Sequence, residues 1–494
     1  MEIRASLGKY RNPVIHADYS DPDVIRVGSD YYLTASSFHC FPGLPILHSR
    51  NLVNWRIIGH ALPRMPMDKY DSVQPGEGAW APTIRFHSGK FWIFFPTPEE
   101  GIFVTTADRP EGPWSEPHLL LAGRGLIDPC PWWDDDRAWL LHAFAFSRSG
   151  KRDLLQLCPM SSDGKKILGE GKALIHAPHH PYLEGPKVYQ KGEWLYIFAP
   201  GGGVPQGWQV VYRGKSIEGP FEERIVLAQR GTGINGPHQG ALVEDPEGGW
   251  WFLHFQDRDL YGRVVHLQPV RWRDGWPEIG EVIDVQRCGQ PVLEFSMPPG
   301  QHRVGTAPQM GDDYAQGKLS LAWQWPAHPQ REWWDLQAKP GCLRLAAASL
   351  PPEGLVRYPR LMLQKFPAES FEVRVQAEAG GDGVRAGLVV AGAEFAYLAR
   401  VREGKDEKVE YFGKSGICFR EPVPAKAELV LRVNCGGRCA FGYSRGGDDF
   451  YQVGPIFPVR QGNWIGAKFG LLCFQDEGKH EGQGFFSEVT VSPR

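Results

Sequence analysis

One phrase recurs five times in the first 280 residues: a turn-forming start, an apolar-alternating run, a Gly or Asp turn, and an aromatic pair re-entering a strand. The copies begin at Asp21 (DPDVIRVGSDYYLT), Ala81 (APTIRFHSGKFWIF), Asp128 (DPCPWWDDDRAWLL), Glu184 (EGPKVYQKGEWLYIF) and His238 (HQGALVEDPEGGWWFL), at spacings of 60, 47, 56 and 54 residues. A unit of that length holds four short strands, and self-similarity at such a period predicts a radial β array, a five-bladed β-propeller. The second half of each copy carries its own turn signal, near Asn54, Pro113, Gly164, Gly219 and Gly275, as outer hairpins require. Three of the five openings bear a carboxylate. Equivalent positions in a propeller converge on one end of its axis, so the repeat predicts that Asp21, Asp128 and Glu184 meet.

A chain of 494 residues exceeds what one hydrophobic core usually serves, which predicts a second domain. The repeat ends in MPPGQHRVGTAPQMGDD, a Pro/Gly-rich polar stretch that reads as a connector. The expected division is a catalytic propeller over 1–300, a linker over 301–312 and a β-sandwich over 313–494. Runs such as CLRLAAAS, LMLQKF, FEVRVQAEA, RAGLVVAG, FAYLARVR, AELVLRVN, AKFGLLCF and FFSEVTVS are short strands at the regular spacing of a sandwich.

A net charge of −3 with acids and bases interspersed offers no basic stripe, so a nucleic-acid partner is not expected. No stretch approaches a membrane span in length, and MEIRASLGKYRNPVIHADYS lacks the apolar segment of a secretory signal. A cytoplasmic protein without a membrane partner is expected. Nine cysteines at scattered spacings suggest reduced thiols rather than a disulfide framework. The 18 Trp, 26 Phe and 16 Tyr fall largely on strand-like runs, where rings serve both core packing and sugar faces.

Asp21, Asp128 and Glu184 each directly precede Pro or Gly, where an isolated acidic residue would read as a turn former. Three together suit another purpose. Crowded carboxyls raise one another's pKa, and a protonated acid beside an ionised base is what glycosidic cleavage demands.

The segments HADYSDPDVIRVGSDYYLTASSFHCFPGLPILHSRNLVNW, LIDPCPWWDDD and YLEGPKVYQKGEW resemble the three acidic motifs of glycoside hydrolase family 43. DFYQVGPIFPVRQGNWIGAKFGLLCF resembles the C-terminal, concanavalin-like sandwich of the family's xylosidase-type members. The resemblance implies an inverting hydrolase in which Asp21 is the general base, Glu184 the general acid and Asp128 the residue that tunes and orients the acid. Asp23 stands where many members have Ser and would share a face with Asp21; Cys130 also replaces a common Ser.

By the same resemblance Trp80 and Phe38 line the sugar pocket, Arg263 bonds sugar hydroxyls, and Trp464 reaches over from the sandwich to close the pocket. His238 would lie at the propeller centre, against substrate and beside a calcium ion or its water shell. No cofactor is needed for the chemistry. His176, His179 and His180 crowd the approach to Glu184, but they and the Cys435/Cys439 pair lack the ligand spacing of a zinc site. The expected activity is release of terminal xylose from β-1,4-xylooligosaccharides, with α-L-arabinofuranosidase as alternative or co-activity. A non-catalytic carbohydrate-binding propeller, or a fructan- or arabinan-directed hydrolase, would be built from the same repeat. A homo-oligomeric assembly is compatible with the sequence.

Overall fold

The computed structural model describes residues 8–134, 137–300, 311–314, 317–414, 416–478 and 482–494, without the side chains of residues 417 and 418. Residues 301–310 of the expected connector lie outside the described residues. Between Asp23 and Ile279, the described strands form five antiparallel sheets, each containing four strands consecutive in the chain. Their first strands are Asp23–Val27, Thr83–His87, Leu126–Asp134, Lys187–Lys191 and His238–Glu244.

Side-chain alternation along these strands supplies two apolar faces per sheet. Ile93 and Phe95 pack against Ile46 and Leu62 of the first sheet, whereas Trp92 and Phe94, on the opposite face, pack against Leu140 and Met160 of the third. The third and fourth sheets meet through Leu141, Leu157, Ile197 and Val210, and the fourth and fifth through Phe198, Val211, Phe252 and Val270. Val24 and Leu33 of the first sheet pack on Ala241 and Leu253 of the fifth. The ring is thereby closed.

The chain before the first sheet secures that closure. Lys9–Arg11 pairs antiparallel with Glu294–Ser296, and Ile15 pairs with Val265 on the fifth sheet. Between them, the Asn12 amide group donates to the Leu267 and Val292 carbonyls at 2.8 Å each and accepts from the Leu267 N–H at 2.8 Å.

Beyond residue 310 two sheets face each other. Phe371–Ala379 pairs with Glu428–Asn434 and Gln483–Pro493 in one; Val384–Ala391 runs between Phe395–Glu403 and Lys468–Gln475 in the other. Phe371, Val373 and Val375 alternate into the core. Val384–Ala391 is buried along its whole length because Leu355, Tyr358 and Leu361 cover its outer face. The two domains are packed together: Phe41 of the propeller pairs with Trp325, and Tyr261 and Val264 extend into the sandwich core.

Asn12→Ala should destabilise the protein by about 2–4 kcal/mol, because it leaves the buried Leu267 N–H without its side-chain acceptor and takes a donor from the Val292 carbonyl, while Tyr10 still serves the Leu267 carbonyl. The measurement is a denaturant titration that follows tryptophan emission.

Candidate active site

Asp21 and Asp128 both precede proline and hold a left-handed backbone, with φ of 54° and 56°. Aspartate tolerates that conformation better than most side chains. In the fourth sheet the corresponding place, before Pro186, belongs to Gly185 with φ 58°. A Cβ there would come within 2.9 Å of the Gln239 side chain and 3.1 Å of Pro200. Glu184 therefore stands one residue earlier than the two aspartates, and the expectation of one shared repeat phase needs correction. Its amide donates to the Pro200 carbonyl at 3.1 Å. The fifth sheet departs differently: its pairing shifts register between His238 and Gly240, which brings the Gln239 side chain to the same cavity.

That cavity, of about 610 Å³, is lined by all three carboxylates together with Phe38, Trp80, Gln239, Arg263 and Trp464. Ser36 Oγ donates to Asp21 Oδ2 at 2.5 Å, and Arg263 Nη1 lies 3.5 Å from Asp21 Oδ1. Asp128 Oδ2 accepts from the Gly185 amide at 2.7 Å, so it fixes the backbone that carries Glu184. The Arg263 guanidinium lies 5.0 Å from the Phe255 ring and 6.0 Å from that of Trp464. Trp80 is fixed by its indole N–H bond to the Gly76 carbonyl at 3.1 Å, and its ring centre lies 6.2 Å from that of Phe38.

The carboxyls are not electrostatically alike. Burial, then the negative charges of Asp128 and Asp21, push Glu184 well above the usual carboxylate range, and Arg263 opposes the rise only in part. Asp128 is raised to about 6 by burial and by Asp21, against the Gly185 amide, Lys187 and the Gln239 side chain. Glu184 still presents 26 % of its side chain to the cavity, so a proton it holds is available to a bound molecule. His238 Nε2 lies 3.4 Å from Glu184 Oε1, but burial and then Arg263 lower the imidazole to about 3. The two do not form an ion pair, because the ring is neutral wherever Glu184 is ionised.

His238 is fully buried and lies behind Glu184 rather than on the cavity wall, which corrects its expected contact with substrate. Its two ring nitrogens have no hydrogen-bond partner among the described residues, and among those residues Glu184 supplies the carboxylate beside it. Calcium takes six to eight oxygens, so the side chains here do not form a protein-made calcium site. Asp23 faces away from the base: its Oδ2 accepts from Arg85 Nη1 at 2.7 Å and from the Ile84 amide at 2.8 Å. Cys130 accepts from Arg85 Nη2 and the Val188 amide at 3.3 Å each.

His179 and His180 gather with Glu223, their ligand atoms within 4.8 Å of one another. Trp208 donates its indole N–H to His180 Nδ1 at 3.2 Å, so Nε2 of that neutral ring carries the proton and has no lone pair for a metal. The eight described cysteines are free.

Sequence reasoning missed Ser36, which donates to Asp21, Gln239 on the cavity wall, and the aromatic mouth made by Phe146 and Tyr182. These two rings are 53 % and 52 % exposed at the cavity edge, close to the 54 % of Trp464. The doubled Trp and Phe residues of neighbouring strands give no sign that these particular rings are left open.

Residues 10–277 match Glycosyl hydrolases family 43, and residues 311–491 match the Beta xylosidase C-terminal Concanavalin A-like domain. A protein of Xylanibacter ruminicola provisionally named a β-xylosidase is 38 % identical over 94 % of this chain and 86 % of its own length. A β-xylosidase of Formosa agariphila is 32 % identical over 95 % and 88 %. A non-reducing end α-L-arabinofuranosidase of Bacteroides ovatus is 31 % identical over 69 % and 65 %. A crystallised mutant of the GH43 protein BlXynB from Bacillus licheniformis superposes with a TM-score of 0.85 at 25 % identity, covering 99 % of this chain and all of its own. With three convergent carboxyls, a sugar-sized cavity and matches that run through both domains, this chain belongs to glycosyl hydrolase family 43.

Proposed function

We propose that this chain is an exo-acting β-1,4-xylosidase that removes terminal xylose from xylooligosaccharides by single displacement. The observation that carries the proposal is one cavity holding Asp21, Asp128, Glu184 and Arg263, walled on one side by Trp464 from the second domain. A pocket closed in this way admits a chain end better than the middle of a chain. The β-xylosidase relatives are similar through both domains, which supports xylose as the sugar released.

In this reading the Asp21 carboxylate takes a proton from water as the water oxygen attacks the anomeric carbon. Glu184 delivers its proton to the glycosidic oxygen as the carbon–oxygen bond breaks. Asp128 reacts with neither; it holds the Gly185 amide and, by its charge, keeps Glu184 protonated. Arg263 orients sugar hydroxyls with its fork of donors while steadying Asp21. Asp21 and Glu184 account for both proton transfers. A calcium ion near His238 would be held mainly through water and would shape the pocket floor. Arabinofuranoside cleavage is proposed as a co-activity, on the similarity to the Bacteroides ovatus enzyme.

The test compares wild type and Glu184→Ala on p-nitrophenyl β-D-xyloside, p-nitrophenyl α-L-arabinofuranoside and xylobiose, with the product anomer followed by NMR. Wild type should release xylose with inverted configuration. The variant should lose about 10²–10⁴-fold on xylobiose and less on the aryl xyloside, whose leaving group needs little protonation. Failure of wild type to turn over any of the three would overturn the proposal.

The pH dependence has a definite sign. The alkaline limb of kcat/KM reports loss of the Glu184 proton, and the negative charge of Asp128 is among the causes that raise that group. Asp128→Asn removes this charge, so the limb should move to lower pH while the maximal rate falls by about 10²-fold as Glu184 loses its support. Trp464→Ala should raise KM for xylobiose about tenfold and change kcat less, since it removes a binding surface and no reacting group.

A further inference from the structure

Asp18 is a buried carboxylate that the proposed chemistry does not use, yet its hydrogen bonds join two parts of the pocket. It is 4 % exposed. Oδ1 accepts from the Arg263 amide at 2.9 Å and from Ser20 Oγ at 3.2 Å, and Oδ2 accepts from the Gly466 amide at 2.8 Å. Arg263 belongs to the propeller and reaches Asp21; Gly466 belongs to the sandwich and lies two residues from Trp464.

The surrounding backbone is shaped to let this carboxylate in. Gly262 has φ 71° and ψ −147°, and a Cβ there would lie 2.4 Å from Asp18 Cγ. A Cβ on Gly466 would lie 2.8 Å from the Gly262 nitrogen, so the two strips of chain touch backbone to backbone. The Ala467 amide donates to the Leu260 carbonyl at 2.7 Å beside them. Two buried sandwich lysines face the site: Lys365, which donates to the Asp18 carbonyl, and Lys468, its cross-strand partner. Burial alone would raise Asp18, but these lysines with the Arg263 and Gly466 amides hold it below the usual carboxylate range.

We propose that Asp18 is a positioning residue that fixes Arg263 and the Trp464 loop to each other, so that one carboxylate sets the depth and closure of the sugar pocket across the domain boundary. The inference rests on the glycosidase reading for its kinetic consequence and on geometry alone for the coupling itself. Without Asp18 the sandwich loop keeps its Ala467 bond to Leu260 but loses the tie between Gly466 and the Arg263 amide, so the wall supplied by Trp464 is looser against Arg263.

The test uses the full-length enzyme and the variant Asp18→Asn/Lys365→Met, which removes one buried charge of each sign and so leaves the net charge of the cluster unchanged. KM for xylobiose should rise about tenfold or more with kcat lowered less than about threefold. Adding Trp464→Ala to this variant should change KM less than about twofold, because the two substitutions break the same unit. Unchanged KM, or multiplicative effects of the two changes, would overturn the proposal. Hydrogen exchange supplies a readout that needs neither turnover nor a folded variant. In wild type the Arg263 and Gly466 amides should exchange at matched rates, and rates differing by more than about 10²-fold would sink the coupling. A wild type inert on every xyloside and arabinoside would remove the glycosidase reading while leaving the exchange result to decide the role of Asp18.

Discussion

A ring of sheets is only as good as its seam, and here the seam is made by the chain that precedes the first sheet. Lys9–Arg11 pairs near residue 295, Asn12 bonds both backbone groups of Leu267, Ile15 pairs with Val265, and Asp18 accepts the Arg263 amide. From Asn12 to Asp18 these contacts descend one long strand, Arg263–Arg273, toward the end where the cavity opens. Asp21 follows three residues after Asp18, and its distance of 3.5 Å from Arg263 is a consequence of how the ring is shut. Residues more than 240 positions apart in sequence thus line one cavity side by side.

The same convergence creates the electrostatic asymmetry. Asp21, Asp128 and Glu184 crowd together beside Arg263 in a cavity that Arg152 and Asp153 also line, and the neighbouring imidazole carries no charge to offset the three. All three cannot ionise together without strong repulsion in a poorly solvated space, so a proton is retained. Local bonds decide which group keeps it. Asp21 is held by Ser36 and Arg263 and Asp128 by the Gly185 amide, whereas Glu184 faces a neutral histidine. The least supported anion remains the acid.

The repeat was legible because each strand pair carries its own turn and its own alternation, which are local properties. The sandwich strand expected from FEVRVQAEA occupies Phe371–Ala379, and the turn near Gly275 separates the last two strands of the fifth sheet. The exact phase of Glu184 was not legible, because the steric demand that puts glycine at 185 comes from Gln239 and Pro200 on other turns of the chain. The strand Asp406–Gly413 carries DEKV at its start, where charge masks the alternation, and its burial follows from position in the sheet. His238 was expected at the substrate surface through the family resemblance, whereas its place in the repeat says only which end of the axis it occupies. How deep it lies depends on the register shift at Gly240. Ser36 and Gln239 gave no signal, since a serine in SSF and a glutamine in HQG are ordinary until their partners are known.

A second domain beside a propeller could be a passenger, but the interface here argues otherwise. Tyr261 and Val264 bury themselves in the sandwich core, and they flank Gly262 and Arg263. The segment that presents Arg263 to the cavity is thus packed from the sandwich side, and its amide is bonded through Asp18 to the same carboxylate that receives Gly466. Separation of the domains would expose those apolar side chains and part the buried Asp18 carboxylate from the two sandwich lysines that offset its charge, at once costing burial and loosening the arginine. The sandwich is therefore part of the scaffold of the cavity, and Trp464 on the cavity wall is the visible end of a contact that also packs the segment carrying Arg263.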